Sequence, residues 1–306
     1  MECGGMRIRG KANLPLCCSI VALALLSACS QRTPSGSPAA PARVRQSPRM
    51  LHAPLFPARR IVAFYGEAGV PSMGVLGSDT PEAVALRLTR QAQGYAGFGR
   101  PVTPAFEEIA VAAQRAPGAR GVYHSEPDLS GARRYLLAAR KISALFVIDI
   151  QPGRERFLPL VRRFEGLLRE PDVGLALDPE WEMRAGEVPG ETIGGTTANE
   201  VNAVATYLAG IVRRYRLPQK LFVIHQFLPD MIARRSAVRS LPELATTYHV
   251  DGFGYRAIKL LKYRTLATRD HHFHNGLKLF YDQDVNMLTP ASVMQLRPQP
   301  DFITYQ

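Results

Sequence analysis

Short runs of β-branched and apolar residues alternate with longer segments of helical period from Arg60 onward. The runs have the length and composition of strands, and the segments between them are long enough for helices. The sequence therefore predicts eight strands, at Arg60–Tyr65, Ala105–Ala113, Ala144–Ile150, Val173–Leu177, Leu221–Gln226, Thr247–Phe253, Leu277–Tyr281 and Phe302–Tyr305.

Helix starts fall between these strands. Thr80-Pro81 and Thr289-Pro290 each place a capping residue before a proline at the first helical position. Thr197 and Glu200 have the spacing of a capping box. Behind that box, apolar residues form the single stripe that a surface helix buries against a sheet: Val201, Val204, Ala205, Leu208, Ile211 and Val212.

A strand followed by a helix, repeated about eight times, is typical of a (β/α)8 barrel. The alternative is an open α/β sheet, which would use fewer strands and usually carry a phosphate-binding loop after the first strand. The segment Tyr65–Gly69 has too few glycines for such a loop. The sequence therefore predicts an α/β fold, a single-domain TIM-type (β/α)8 barrel over residues 57–306.

The amino-terminal segment is typical of an export signal. A basic start with Arg7, Arg9 and Lys11 precedes an apolar stretch, Leu14–Leu26. That stretch is shorter than the ~20 residues that a membrane-spanning helix needs. It ends in Leu26-Ser27-Ala28-Cys29, which resembles the lipobox of bacterial lipoproteins. We expect a lipoprotein signal peptide over residues 1–28 and lipidation of Cys29. An uncleaved anchor or a secretory signal that ends near a cysteine is the alternative.

Residues 29–56 are predicted to be a flexible, lipid-anchored linker, because Ser30–Arg49 is rich in Ser, Pro, Ala, Gln and Arg and has no apolar period. Export and acylation would hold the folded domain at the membrane through Cys29. The expected location is the outer face of the cytoplasmic membrane or the outer membrane.

The composition and charge of the chain limit the kinds of site and partner that we expect. The chain is 46% hydrophobic and 21% charged, as in an ordinary globular protein. All four cysteines lie in residues 1–29, so the exported domain has no cysteine for a metal site or a nucleophile. The chain carries a net charge of +12. An anionic envelope polymer or lipid is the expected partner for that charge, and nucleic acid is not. No cofactor is expected, because no nucleotide-binding motif occurs.

Several segments are similar to a family of uncharacterised bacterial lipoproteins. They are Ala176–Met183 (Ala-Leu-Asp-Pro-Glu-Trp-Glu-Met), Val188–Gly194, Leu217–Lys220 with His225-Gln226-Phe227, and the Tyr65-Gly66 turn with Gly69, Gly74 and Gly77. The resemblance covers most of the exported domain. It implies a glycoside-hydrolase-like barrel at the cell surface and carries no assigned reaction.

Polar side chains collect where the predicted strands end. In a barrel of this kind, function gathers at the carboxyl ends of the strands. The residues predicted to bind substrate there are acidic, amide-bearing or aromatic: Tyr65, Asp149, Gln151, Asp178, Trp181, His225, Gln226 and Tyr281. This acidic collection on a basic chain is the most informative feature of the sequence.

Paired carboxylic acids at one mouth are the groups that cleave glycosidic bonds, one as the acid and the other as nucleophile or base. We predict Glu180, after the fourth strand, as acid/base and Asp282 or Asp284, after the seventh, as its partner. Asp149 and Asp178 would orient and tune them, and the aromatic rings would stack on sugar faces.

Structural alternatives remain open for each residue. Asp178 before Pro179 is also typical of a turn, and Trp181 of core packing. His225 at the end of an apolar strand is also typical of a hydrogen-bonded core residue. The segment His271–His274 is expected to be a solvated loop and not a metal site. The sequence thus favours a carbohydrate-binding barrel that hydrolyses a cell-wall or other glycan, with a non-catalytic envelope protein that binds a glycan or protein as the alternative.

Overall fold

The computed structural model describes residues 54–306. The predicted signal peptide, Cys29 and most of the predicted linker lie outside the described residues. Within them, ten strands follow in chain order: β1 (Arg60–Gly66), β2 (Val102–Val111), β3 (Leu145–Ile150), β4 (Val173–Leu177), β5 (Thr196–Thr197), β6 (Lys220–Gln226), β7 (Ile232–Ala233), β8 (Leu244–Val250), β9 (His274–Leu279) and β10 (Phe302–Tyr305).

Eight of these strands close into a parallel barrel in the order β1-β10-β9-β8-β6-β4-β3-β2. The ring closes where β10 pairs with β1, with Phe302 opposite Ile61 and Tyr305 opposite Phe64. β5 and β7 form a separate two-stranded pair outside the ring. The predicted (β/α)8 barrel is confirmed, and all eight predicted strands belong to it.

Helices surround the barrel. They are α1 (Pro81–Gln93), α2 (Leu129–Lys141), α3 (Phe157–Arg163), α4 (Glu165–Leu168), α5 (Ala198–Tyr215), α6 (Arg256–Leu266) and α7 (Pro290–Val293). Between β6 and β8 the chain forms β7 and a short 3₁₀ turn at Arg235–Ala237 in place of a full helix. None of the helices within residues 54–306 is both long enough and apolar enough to cross a membrane.

The predicted helix starts are confirmed by their hydrogen bonds. The hydroxyl of Thr80 accepts from the Ala83 N–H, that of Thr197 from the Glu200 N–H, and that of Thr289 from the Ser292 N–H. Each hydroxyl satisfies one of the N–H groups that the first turn of a helix leaves unpaired.

Three strands begin three residues earlier than predicted. β2 begins at Val102, where the sequence predicted Ala105. β8 covers Leu244–Val250, where the sequence predicted Thr247–Phe253, and β9 begins at His274, where it predicted Leu277. β8 ends where Gly252 adopts a φ of +91°, which breaks the extended backbone. The polar segment His274-Asn275-Gly276 hides the start of β9, because it lacks the β-branched residues that mark a strand.

Side chains alternate between two cores along the barrel strands. Outward residues such as Val62 and Phe64 pack against the helices, including Val84 and Leu88 of α1. Inward residues at the amino ends of the strands form an apolar floor inside the barrel: Leu55, Phe56, Ile61, Ala63, Ala105, Val147, Ala176, Leu221, Val223, Ala245 and Phe302. The predicted linker thus contributes Leu55 and Phe56 to the floor. Above the floor the inward positions become polar.

Candidate functional site

The upper interior of the barrel holds a cluster of charged and polar side chains. Five of them stand two residues beyond a floor residue and so share its inward direction, as Tyr65 does beyond Ala63 and Asp149 beyond Val147. Asp251 stands six residues beyond Ala245, and Lys278 reaches the same interior through its contact with Asp251. Each is at most 6% exposed. The members of this interior cluster are Tyr65, Glu107, Asp149, Asp178, His225, Asp251 and Lys278.

In one half of the interior cluster, a tyrosine hydroxyl lies within hydrogen-bonding distance of two acids that the sequence predicted for the site. The Tyr65 hydroxyl donates to Asp149 Oδ2 at 2.7 Å and lies 3.4 Å from Asp178 Oδ2. Gln151 Nε2 is 3.3 Å from the same hydroxyl and 3.4 Å from Asp178 Oδ2. Burial, and then the charge of Asp178, raise the pKa of Asp149 to about 7. Burial also raises the pKa of Asp178. The two carboxyl groups therefore hold at least part of a proton near neutral pH.

The other half is an ion-pair network around His225. Its Nδ1 lies 2.9 Å from Asp251 Oδ2 and its Nε2 lies 3.0 Å from Glu107 Oε1. Burial opposes a charge on His225, but Glu107, Asp178 and Asp251 outweigh it and raise the pKa of the imidazole well above its usual value. With a carboxylate at each ring nitrogen, His225 is an imidazolium that donates to both.

Lys278 completes this network. Its Nζ lies 3.1 Å from Asp251 Oδ2 and 3.4 Å above the centre of the Tyr65 ring. Burial opposes the charge of Lys278, but Asp251 and Asp178 outweigh it and raise the pKa of its ammonium group. Lys278 and His225 in turn outweigh the effect of burial on Asp251 and hold the pKa of its carboxyl group well below the usual value.

Glu180 lies at the edge of the interior cluster and is its accessible acid. The residue follows β4 on a 3₁₀ turn, Pro179–Trp181, and its side chain is only partly buried. Burial, and then the charges of Asp178 and Asp251, raise the pKa of Glu180 well above its usual value. The Gly194 N–H donates to the Glu180 carbonyl at 2.6 Å. A Cβ at Gly194 would lie 2.7 Å from that oxygen, so only glycine lets this loop approach the turn.

Three other predicted site residues are not members of the interior cluster. Gln226 is buried and donates to the carbonyls of Leu228 and Pro229, which shapes the loop after β6. Trp181 is half-buried beside Glu180. Gln151, besides its contact with Tyr65, accepts from the Ala113 N–H.

Asp282 and Asp284, predicted as partners of Glu180, have other contacts among the described residues. Asp284 Oδ2 forms a buried ion pair with Lys259 at 2.7 Å, and the carboxyl group also accepts from the N–H groups of Gly254 and Phe280. These bonds tie the loop after β9 to α6. Asp282 is exposed and lines a separate cavity. The carboxyl groups whose charges reach Glu180 are those of Asp178 and Asp251.

That cavity has a volume of about 710 Å³, and none of its lining residues belongs to the interior cluster. It is formed by α1 and by the segments that follow β1, β9 and β10. Tyr281, predicted to bind substrate, lines it and is 41% exposed. The Tyr281 ring stacks on Tyr305 with 5.4 Å between ring centres, and its hydroxyl donates to Gln91.

Histidines before β9 form an exposed group with one acid. Asp270, His271 and His272 have ligand atoms within 4.8 Å of one another, and all three side chains are exposed. Asp270 already accepts from the backbone and the ring of His272. The group lies at the amino end of β9, away from Glu180.

The predicted site left out three residues of the network around His225: Glu107, Asp251 and Lys278. Glu107 and Lys278 interrupt apolar runs. Glu107 follows Phe106 on β2, and Lys278 stands between Leu277 and Leu279 on β9. A strand that is covered on both faces has no solvated position for a charge. A charge within such a run therefore signals a charged or polar partner inside the protein.

Comparisons with known proteins add little to this geometry. No family model and no curated protein sequence matches the chain. Among the solved structures that match is a GH18 chitinase from Pseudoalteromonas aurantia, 10% identical, with a TM-score of 0.40. The match covers 80% of this chain and 93% of the chitinase chain. The likeness is one of fold alone, so the function of the site depends on its own side chains.

Proposed function

We propose that this barrel binds a carbohydrate at its carboxyl-terminal face and hydrolyses a glycosidic bond there, with Glu180 as the proton donor. The observation that carries the proposal is the partly exposed Glu180 carboxyl group, whose pKa burial and neighbouring acids raise well above the usual value. A carboxyl group that keeps its proton at neutral pH and reaches solvent is suited to general acid catalysis.

The reaction begins when Glu180 transfers its proton to the oxygen between two sugars. The bond from that oxygen to the anomeric carbon breaks, water adds its hydroxyl group to the carbon, and the remaining proton returns to Glu180. The negative charge that develops on Glu180 is stabilised by the cations Lys278 and His225, both of which lower the pKa of Glu180. Asp149, whose pKa is raised to about 7, tunes the site from below.

The second carboxyl group of the reaction is best assigned to Asp178. It stands two residues before Glu180, and of the neighbouring acids its charge raises the pKa of Glu180 most. Its hydrogen-bonding neighbours, Tyr65 and Gln151, hold it in place. Asp284 is fully engaged by Lys259 and two backbone N–H groups, and Asp282 lies in the neighbouring cavity.

Glu180→Gln tests the proposal. We expect kcat on a cleavable glycan to fall by about 10²- to 10⁴-fold, because the amide has no proton to transfer. The measurement is release of reducing ends from a panel of labelled glycans by the full chain. Glu191→Gln is the matched control, because Glu191 lies on the same loop, is exposed and pairs only with Arg115 at the surface. Equal turnover by Glu180→Gln and the unaltered protein would remove Glu180 from the mechanism.

A non-catalytic, glycan-binding barrel is the second candidate. It is favoured by the burial of the interior cluster, whose carboxyl groups are at most 6% exposed and largely held in ion pairs and hydrogen bonds. Under this alternative the unaltered protein binds glycans, and no member of the panel is cleaved.

We also propose that the domain is displayed as a lipoprotein, attached to the membrane through an acylated Cys29. The support lies in the order of basic residues, apolar stretch, small residues and cysteine in the sequence. An anionic envelope polymer remains the proposed neighbour for the basic chain. Cys29→Ala should move the protein from the membrane fraction to the soluble fraction, as measured by fractionation. Retention of this variant in the membrane fraction would contradict the proposal.

A further inference from the structure

The 710 Å³ cavity lies on the side of the barrel opposite to Glu180. β10 stands four strands from β4 in either direction around the closed ring, and Gln306 at the end of β10 lines the cavity. The segment Pro71–Ser78 forms one wall. A Cβ at Gly74 would lie 2.5 Å from the Tyr65 carbonyl, so glycine is required for this wall to rest on β1. The volume is within the range of small-ligand sites.

Two arginines give the cavity a positive charge. Arg87 and Arg90 stand three residues apart on α1, which places them on the same face, and both line the cavity. Neither forms an ion pair with any residue in the 54–306 range, although Arg87 donates to Ser78 Oγ at 2.6 Å. Asp282 is the single acidic side chain in the lining, so the side chains of the cavity carry an excess of positive charge.

The rest of the lining is suited to a sugar. Tyr281 offers a ring that its stacking on Tyr305 holds in place, and Gln91, Gln283 and Gln306 offer amide groups. Aromatic faces pack on the apolar face of a sugar ring, and amide groups both donate to and accept from hydroxyl groups. A guanidinium group recognises a carboxylate through two parallel hydrogen bonds.

From these features we propose that the cavity is a subsite for an acidic sugar, of the class whose ring carries a carboxylate, as uronic acids do. Arg87 and Arg90 bind the carboxylate, Tyr281 supports the ring, and the amide groups bind its hydroxyls. The inference rests on the carbohydrate function proposed above and adds its substrate class. A bound glycan would extend from this subsite across the barrel mouth toward Glu180.

The test measures binding of uronic-acid oligosaccharides and of their carboxyl-reduced counterparts by calorimetry. The probes are oligomers of galacturonate, glucuronate and alginate, and the protein is the full chain carrying Glu180→Gln, so that turnover does not consume them. We expect at least one acidic oligomer to bind tenfold or more tightly than its reduced counterpart, with affinity that falls as salt is added.

Substitution of the arginines identifies the site. In the same background, Arg87→Gln combined with Arg90→Gln should remove the preference for the acidic oligomer, and each single substitution should reduce it. Arg264→Gln is the matched control, because Arg264 is an exposed arginine of α6 that forms no ion pair among the described residues and does not line the cavity. Unfolding temperatures should be unchanged in all variants, since exposed substitutions of this kind have small effects on stability.

The outcomes separate this inference from the proposed function. Binding of reduced and acidic oligomers with equal affinity, or a preference that survives loss of both arginines, would overturn the inference and leave the carbohydrate function standing. An arginine-dependent acidic preference without cleavage by the unaltered protein would support the subsite and contradict the hydrolysis. Absence of binding to every oligomer and of cleavage of any glycan would contradict both.

Discussion

The charged residues inside the barrel form ion pairs with one another. Four carboxyl groups of the interior cluster face two cations, His225 and Lys278, in a volume that is almost closed to water. Since the acids outnumber the cations, the cluster relieves its excess negative charge by retaining protons. The pKa of Asp149, raised to about 7, is the clearest sign of this.

Asp149→Asn should change how stability depends on pH. The pKa of Asp149 is raised from 3.8 to about 7 in the folded protein. The contribution of this group to stability is therefore fully present below pH 3.8 and is lost as the pH rises to about 7. Between pH 3.8 and about 7, the free energy of unfolding should decrease with pH more steeply in the unaltered protein than in the variant. The two slopes should differ by up to about 1.4 kcal/mol per pH unit. Denaturant unfolding at several pH values measures this difference.

Asp230→Asn is the control for this experiment, because Asp230 is exposed on the loop after β6. Its pH dependence should match that of the unaltered protein. Parallel curves for Asp149→Asn and the unaltered protein would show that Asp149 ionises normally and that the acids of the cluster do not compete for a proton.

Helices around the barrel begin at caps that local sequence specifies. α5 starts after Thr197, whose hydroxyl accepts from the Glu200 N–H at 3.2 Å, and its apolar stripe then covers the barrel. The longest loop before it carries Glu180 and Gly194, so the position where α5 begins also fixes the end of the site loop.

Thr197→Ala should destabilise the protein by about 1 kcal/mol, because an N–H group at the start of α5 loses its partner. Thermal unfolding measures the change. Thr265→Ala is matched in chemistry and should have little effect, since the Thr265 hydroxyl bonds to the Leu261 carbonyl within α6 and caps nothing. Equal destabilisation by both substitutions would argue against a capping role for Thr197.

The closed barrel depends on its floor. Phe302, at the start of the last strand, is fully buried and packs among residues from β1, β2, β3, β4, β6 and β8, together with Leu55 and Phe56. The floor therefore joins the two ends of the described chain and seals the barrel below the interior cluster.

Phe302→Ala should lower the free energy of unfolding by about 3–5 kcal/mol, because it leaves a cavity in the closed interior. Denaturant unfolding followed by fluorescence or circular dichroism measures the loss. Phe253→Ala removes the same side chain at a position that is 61% exposed and should cost less than about 1 kcal/mol. A small effect at Phe302 would mean that the floor collapses around the missing ring or contributes little to closure.

Much of the barrel followed from local patterns. The eight strands and the threonine caps were predicted from alternation and spacing, and Tyr65, Asp149, Asp178 and His225 were placed at the carboxyl ends of strands. The starts of β2, β8 and β9 were not predicted, because a polar strand start such as His274-Asn275-Gly276 has no periodic signal. Glu107 and Lys278 were missed for a related reason, since a charge within an apolar strand reveals its partner only after the barrel closes.

The sequence by itself determined the order of strands and helices and the parity by which side chains point inward, because both are set by neighbours a few residues apart. Only the tertiary structure decided which charged side chains form ion pairs. Glu107 and His225 stand 118 positions apart and come within 3.0 Å only because eight strands close in one register. Asp284 pairs with Lys259, which the sequence did not predict, since a position after a strand specifies a face of the barrel but not a partner on it.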